Sequence, residues 1–217
     1  MKNYPRIYSL STLGLIHHYE NDYLFHNMRT DFVGDSGSGK SIIADLLQLI
    51  FVGSEMFESA TRTMDEKREL DGLVLRTPHK GIDIGYAFLN IEIQSRHYIV
   101  IGCYLESNSK RTKPFIIQGS SDPKANLLPI GQPLQTKDFK REGNICPLDE
   151  LVSQMEEKGL FLAYWETVNP YHRILYTHDI LPRDLASNEK TLKYYASVIR
   201  SFSRGNTIDA SNSNNLQ

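Results

Sequence analysis

Hydrophobic and polar residues first alternate in short blocks along the chain. Residues 6–33 read as short strands, and the run Met28–Val33 is expected to be the strand that precedes a glycine-rich loop. A run that is apolar on nearly every side follows, and it predicts a buried helix from Lys40 to about Val52, ended by Gly53. The opening third is therefore predicted to be a sheet with one buried helix.

The middle of the chain predicts antiparallel strands. Alternation with short turns marks strands at Ile84–Ile93, Tyr98–Leu105 and Pro114–Gln118. Residues 54–81 are polar and read as a surface connection, and residues 119–146 are proline-rich and read as loop.

The last third predicts helices. Apolar residues recur at helical spacing from Leu148 to Met155, with Gly159 as the stop. Asn169-Pro170 resembles a helix cap followed by the first helical residue, and Ser187 could cap a last helix. The expected division is a nucleotide-binding lobe at 1–120, a loop at 121–147, a helical segment at 148–205 and a disordered tail at 206–217.

Composition places few limits on this picture. The chain has 217 residues, 40% hydrophobic residues and a formal net charge of −2, so it can bury a core and carries no strong overall field for DNA or membranes. The two cysteines form no CxxC, and no apolar run is long enough to span a bilayer. A cytoplasmic protein without a membrane partner is the default expectation.

The strongest motif is a P-loop of the form GxxxxGK[ST]. Its glycines let main-chain N–H groups surround a phosphate, and the helix that follows adds its positive dipole end. A lysine in this pattern reaches the β and γ phosphates, and the adjacent hydroxyl binds Mg²⁺. The predicted cofactors are ATP and Mg²⁺, and the predicted contacts are Gly34, Asp35, Ser36, Gly37, Ser38, Gly39, Lys40, Ser41 and Ile42.

Hydrolysis would also need a carboxylate at the end of an apolar strand. Asp149-Glu150 and Asp179 are the nearest candidates, but the first pair suits a helix start and Asp179 suits a loop. The seven histidines show no metal-binding spacing. If one of these acids did act, the chain would be a self-sufficient small kinase or NTPase, which is the alternative interpretation.

The run Val33–Gly53 resembles the start of SMC-type ABC ATPase heads, in chromosome-maintenance, double-strand-break-repair, MukB-type and anti-phage defence ATPases. The shared residues include the P-loop glycines and the helix acid Asp45, and the meander to Gln118 is similar to the antiparallel subdomain of those heads. Asp35 and Ser36 depart from the usual pair. The resemblance implies an α/β P-loop NTPase fold with an antiparallel β subdomain followed by helices.

The same resemblance implies further roles and partners. Gln118 would be a Q-loop residue that contacts Mg²⁺ or the attacking water, although a glutamine at a strand end fits the pattern as well. Signature and Walker B motifs are not found, so the chain is expected to be an N-terminal half-head that needs a complementary half-head or a homodimeric head partner. DNA contact through Lys110, Arg111, Lys113, Arg200 or Arg204 is a lesser possibility, and Trp165 and Tyr194-Tyr195 are expected to be packing residues.

Overall fold

The computed structural model describes residues 4–26, 30–57, 62–63, 66–67, 70–77, 81–119, 127–182, 190–191 and 194–195. Within these residues the main helices are α1 (Lys40–Val52), α2 (Leu148–Glu157) and α3 (Val168–Thr177). The strands are β1 (Arg6–Leu15), β2 (His18–Leu24), β3 (Arg62–Thr63), β4 (Glu66–Lys67), β5 (Ile84–Gln94), β6 (His97–Glu106), β7 (Lys113–Gly119), β8 (Lys140–Arg141), β9 (Asn144–Ile145) and β10 (Leu160–Tyr164).

Six of these strands form one sheet in the order β10-β7-β6-β5-β1-β2, and every neighbouring pair is antiparallel. The predicted antiparallel meander from Ile84 to Gln118 is therefore confirmed. Each tight connection joins strands that are consecutive in the chain, which is why local alternation was enough to predict them. The other strands form two short hairpins, β3–β4 and β8–β9.

The central strands are buried on both faces. One face packs on α1 and α3 through side chains such as Ile101 and Ile116. The opposite face packs on α2 and on Phe139, whose ring stacks on Phe88 with centroids 4.2 Å apart. The sheet is thus the middle of three layers, and α1 and α2 lie on opposite sides of it.

Polar residues of β5 are buried because both faces are covered. The Asn90 amide donates to Ser9 Oγ at 2.8 Å and to the Leu134 carbonyl at 2.9 Å, and Asn90 Oδ1 accepts from the Leu134 N–H at 2.8 Å. Glu92 pairs with Arg6 on β1 at 2.5 Å. Paired polar groups inside the sheet remove the cost of burying them.

The helix α1 begins and ends where its sequence predicts, and α3 binds its carboxyl end. Tyr171 Oη donates to the Ile50 carbonyl at 2.8 Å, and His172 Nε2 donates to the Phe51 carbonyl at 3.0 Å. These are two of the carbonyls that a helix leaves without intrahelical partners. Gly53 follows with φ 85°, close against Val168.

Several expected connections contain structure instead. Residues 70–74 enter the core, with Leu73 fully buried. The expected loop at 119–146 contains a 3-10 helix, Thr136–Phe139, and the β8–β9 hairpin, because Phe139 fills the space above the sheet. The expected surface connection and the expected loop were therefore wrong in these two stretches. Their buried hydrophobic residues are widely spaced and form no periodic pattern that the sequence analysis could detect.

Two helix expectations need correction. Leu160–Tyr164 is not helical but is strand β10, which pairs with β7 at the sheet edge. The helix α3 begins earlier than expected, with Thr167 as its cap, so Pro170 is the third helical residue. Proline is tolerated there because first-turn N–H groups need no intrahelical acceptor. The helix predicted from Ser187 falls largely outside the described residues, as does the predicted tail.

The helices of the described residues are all too short or too polar to cross a bilayer.

Burial lowers the pKa of His172 to about 4, so its neutral form is preferred in the folded protein. As the pH falls below about 6.5, the unfolded chain takes up a proton that the folded chain refuses, so stability is lost toward pH 4. The variant His172→Gln can donate the same hydrogen bond without titrating. Between pH 8 and pH 5, urea denaturation should show about 1–2 kcal/mol more loss of unfolding free energy in the wild type than in this variant. Equal losses would contradict the assignment.

Candidate nucleotide-binding site

The predicted P-loop connects the region after β2 to the amino end of α1. Gly37 and Gly39 have φ values of 84° and 88°, in the left-handed region that favours glycine. The loop from Gly34 to Ser38 is exposed to solvent, while Gly39 is buried against the β1–β2 hairpin. The glycine spacing therefore corresponds to a real change of backbone direction just before the helix.

Lys40 folds back over its own loop. Its Nζ donates to the Gly34 carbonyl at 2.5 Å and to the Asp35 carbonyl at 2.7 Å, and it lies 3.3 Å from Ser38 Oγ. The ammonium group is thus satisfied by loop oxygens and remains exposed. The positive charge is held at the mouth of the loop, where an anion would exchange for these neutral carbonyls.

The amino end of α1 has neither a side-chain cap nor an acid in its first turn. The first N–H groups of a helix have no intrahelical acceptors, and they carry the positive end of the dipole. Ser41, half-buried, is the second helical residue. Ile42 is buried and its N–H donates to the Gly39 carbonyl at 2.9 Å, so Ile42 contributes packing and loop shape.

The segment before the loop differs from its prediction. Residues 30–35 form no strand, and Val33 is 93% exposed; residues 28–29 of the expected strand lie outside the described residues. Phe32 packs edge-on against Tyr23 at 5.6 Å and Phe25 at 5.9 Å, which anchors the segment to β2. The strand expectation was wrong for residues 30–33, because β2 is the last strand of the sheet and no strand of the described part of the chain lies beyond it.

Gln118 lies inside β7, not at an open strand end, and is fully buried. It pairs with Phe161 of β10. Side chains alternate along a strand, so Gln118 faces the same side as Ile116, the side that packs on α1 and α3. Its contact with a metal ion or water stays a prediction.

Asp149 and Glu150, the first pair of candidate acids, do not form a site with the loop. Asp149 and Glu150 lie in the first turn of α2, and Asp149 Oδ1 accepts from Tyr164 Oη at 3.1 Å. The helix α2 packs on the face opposite α1, so the sheet separates these acids from the P-loop. Asp179 follows helix α3 in a turn with φ 55°, and no strand leads into it.

The basic and aromatic candidates are mostly engaged elsewhere. Lys113 pairs with Glu166 at 3.0 Å and lies over the Tyr164 ring, so it adds little free positive charge near Lys110 and Arg111. Trp165 packs beside the buried core, with its ring 6.0 Å from that of Tyr171, as expected for a packing residue. Arg200 and Arg204 lie outside the described residues.

One residue of the site was missed in the sequence. His18, at the start of β2, places Nε2 2.9 Å from the Gly39 carbonyl at the end of the loop. A search for histidines at metal-binding spacing does not find His18, because its contact is with a backbone carbonyl. Within the described residues, no group of three or more histidine, cysteine or acidic side chains could hold a metal ion. The available signal is the two-residue turn that follows β1, which returns the chain toward the loop.

The described residues form a mixed α/β protein, with an antiparallel sheet, helices on both faces and a glycine-rich loop at the amino end of α1. Residues 6–217 match the family model described as MukB N-terminal. The chain therefore belongs to this family and is the N-terminal portion of an SMC-like, MukB-type ATPase head. The family suggests a head half of an SMC-like ATPase in chromosome maintenance, with general use of nucleotide and Mg²⁺.

The two left-handed glycines differ in their surroundings, which gives a matched pair of substitutions. A Cβ at Gly37 would meet open space, whereas one at Gly39 would lie 2.7 Å from His18 Nε2 and 2.8 Å from His17 Cβ. Gly37→Ala should cost about 1 kcal/mol of unfolding free energy through backbone strain alone. Gly39→Ala should cost about 2–4 kcal/mol because crowding is added. Equal costs by urea denaturation would show that the hairpin and the loop are not in contact.

Proposed function

We propose that the loop from Gly34 to Ser41 binds the triphosphate of ATP together with Mg²⁺. The observation that carries this proposal is the Lys40 ammonium held at the loop mouth by two loop carbonyls, beside an uncapped helix end. The left-handed glycines fit a phosphate cradle, since they turn backbone N–H groups toward one point. No acidic side chain in the first turn of α1 opposes the anion.

Each residue then has a defined role. Lys40 exchanges its loop carbonyls for the β and γ phosphate oxygens, and the N–H groups from Gly37 to Ser41 surround the β phosphate. The Ser41 hydroxyl is the Mg²⁺ ligand of the loop, and the ion neutralises phosphate charge when it is bound. Gln118 is the proposed second contact to Mg²⁺ or to the attacking water, a role supported by its position on the α1 side of the sheet.

We further propose that a complementary half-head, or the head of a second copy, completes the site. Hydrolysis needs a carboxylate that supports Mg²⁺ and orients water. Asp149 and Glu150 are on the wrong face of the sheet, and Asp179 lacks a strand before it. The exposure of Val33, just before the loop, also fits a site that another lobe covers.

The alternative of a self-sufficient kinase is less well supported. Such enzymes place parallel strands after the P-loop helix, whereas the strands after α1 in the main sheet are antiparallel. For pathway, we propose DNA maintenance as the process, with repair and anti-phage defence as related roles of the families this chain resembles. DNA contact would use the exposed Arg111 rather than Lys113, which is paired.

Calorimetric titration of the purified chain with ATP and Mg²⁺ tests the nucleotide proposal. The chain alone should bind Mg-ATP weakly. Lys40→Ala should abolish the heat of binding, because the variant lacks the ammonium group that pairs with the phosphates. The control is Lys137→Ala, which removes an exposed lysine from the 3-10 helix on the far side of the sheet and should leave binding unchanged. Equal binding by the Lys40→Ala variant would overturn the proposal.

Phosphate release by the chain alone tests the requirement for a partner. Turnover should be negligible, since the candidate acids Asp149 and Glu150 lie across the sheet from the loop. Fast turnover by purified chain, abolished by Lys40→Ala, would contradict the partner requirement while leaving the nucleotide site intact.

A further inference from the structure

The β1–β2 hairpin contacts the Gly39–Lys40 peptide, which joins the glycine-rich loop to helix α1. The strands are joined by the two-residue turn Ile16-His17, in which His17 adopts φ 62°. This turn places His18 at the first position of β2, with a side chain that is 6% exposed. Its ring contacts the Gly39 carbonyl, so two segments 21 residues apart meet at one backbone oxygen.

Both ring nitrogens of His18 are engaged, and this fixes which one carries the proton. A carbonyl oxygen only accepts, so Nε2 donates to the Gly39 oxygen at 2.9 Å. Nδ1 lies 2.7 Å from Tyr23 Oη and, in the neutral ring, accepts from this hydroxyl. Burial raises the pKa of Tyr23, which keeps the phenol protonated and able to donate.

The Gly39 carbonyl accepts a second hydrogen bond, from the Ile42 N–H at 2.9 Å. Two donors on one oxygen use both of its lone pairs and leave the peptide plane little freedom to rotate. In a planar trans peptide the N–H points opposite to the C=O. Holding the Gly39 oxygen against the hairpin therefore aims the Lys40 N–H away from it, toward the loop side.

The fit leaves no room for a side chain at Gly39. A Cβ there would lie 2.7 Å from His18 Nε2, so the close approach of the imidazole depends on glycine. The amino end of α1 has no side-chain cap of its own. The hairpin thus holds the Gly39 carbonyl from outside the helix, but it does not cap the first N–H groups of α1.

From this arrangement we propose that His18, oriented by Tyr23, is a positioning residue that sets the direction of the Lys40 N–H for phosphate binding. The proposal rests on the proposed function, because it assigns a role at the same nucleotide site. If the Gly39–Lys40 peptide could rotate, the Lys40 N–H would point toward the phosphates in only a fraction of the molecules. The affinity for the phosphates would fall by that fraction.

The test compares His18→Phe, which keeps a ring but cannot donate, with His18→Gln, which can donate from an amide. The control is His97→Phe, an exposed histidine in the β5–β6 turn at the opposite end of the sheet. Calorimetry uses Mg-ATP and Mg-pyrophosphate as probes. His18→Phe should weaken both about tenfold, which is the value of one hydrogen bond. His18→Gln should recover most of the loss, and His97→Phe should change neither.

Pyrophosphate has neither a base nor a ribose. An equal loss of affinity for both probes therefore shows that His18 acts at the phosphates and not at the base or ribose. Unchanged affinity of a folded His18→Phe variant would overturn the role, while absence of Mg-ATP uptake by the wild type would overturn the proposed function and this role with it. Loss of ATP binding with full retention of pyrophosphate binding would also overturn it.

A second measurement on the wild-type chain does not depend on any variant folding. Long-range ¹H–¹⁵N correlation spectra report which imidazole nitrogen of His18 carries a proton. A proton on Nε2 is expected. A neutral ring protonated only on Nδ1 could not donate to the Gly39 carbonyl, and that result would overturn the proposal even if nucleotide binding were found.

Discussion

The structure around the P-loop depends on helix α1 being held at both ends by side chains from distant parts of the chain. At its carboxyl end, Tyr171 and His172 of α3 donate to the Ile50 and Phe51 carbonyls. At its amino end, His18 donates to the Gly39 carbonyl. Between these ends the helix packs on the buried face of the sheet. A helix fixed in this way keeps the loop before it in a defined place, which a phosphate cradle requires.

The sheet has a second consequence for the site. Because both faces of the sheet are covered, side chains on one face cannot contact a site on the other face. The acids at the start of α2 are exposed, and this helix packs on a core that includes Phe88 and Phe139, whereas α1 lies across the sheet. The three-layer arrangement thus separates the P-loop from Asp149 and Glu150. This geometry supports the proposal that another lobe supplies the acids of the site.

Local patterns in the sequence predicted the features that depend on local physics. The helix from Lys40 to Val52, the Gly53 stop and the meander strands were confirmed because apolar spacing and turn residues determine them. Strand β10 was missed, since five residues at a sheet edge acquire their conformation from β7. Phe139 was missed because a single aromatic residue in a proline-rich stretch forms no repeating hydrophobic pattern. His18 was missed because its role comes from a contact across 21 residues.

We propose that triphosphate and Mg²⁺ bind at the amino end of α1 and nowhere else on the sheet. Amide chemical-shift mapping of the ¹⁵N-labelled chain during titration with Mg-ATP locates the binding site, and it detects weak binding as well. We expect shifts concentrated at Gly34–Ile42 and at His18, with none at the first turn of α2. Shifts centred on α2 or on the β8–β9 hairpin, or none at saturating Mg-ATP, would contradict it.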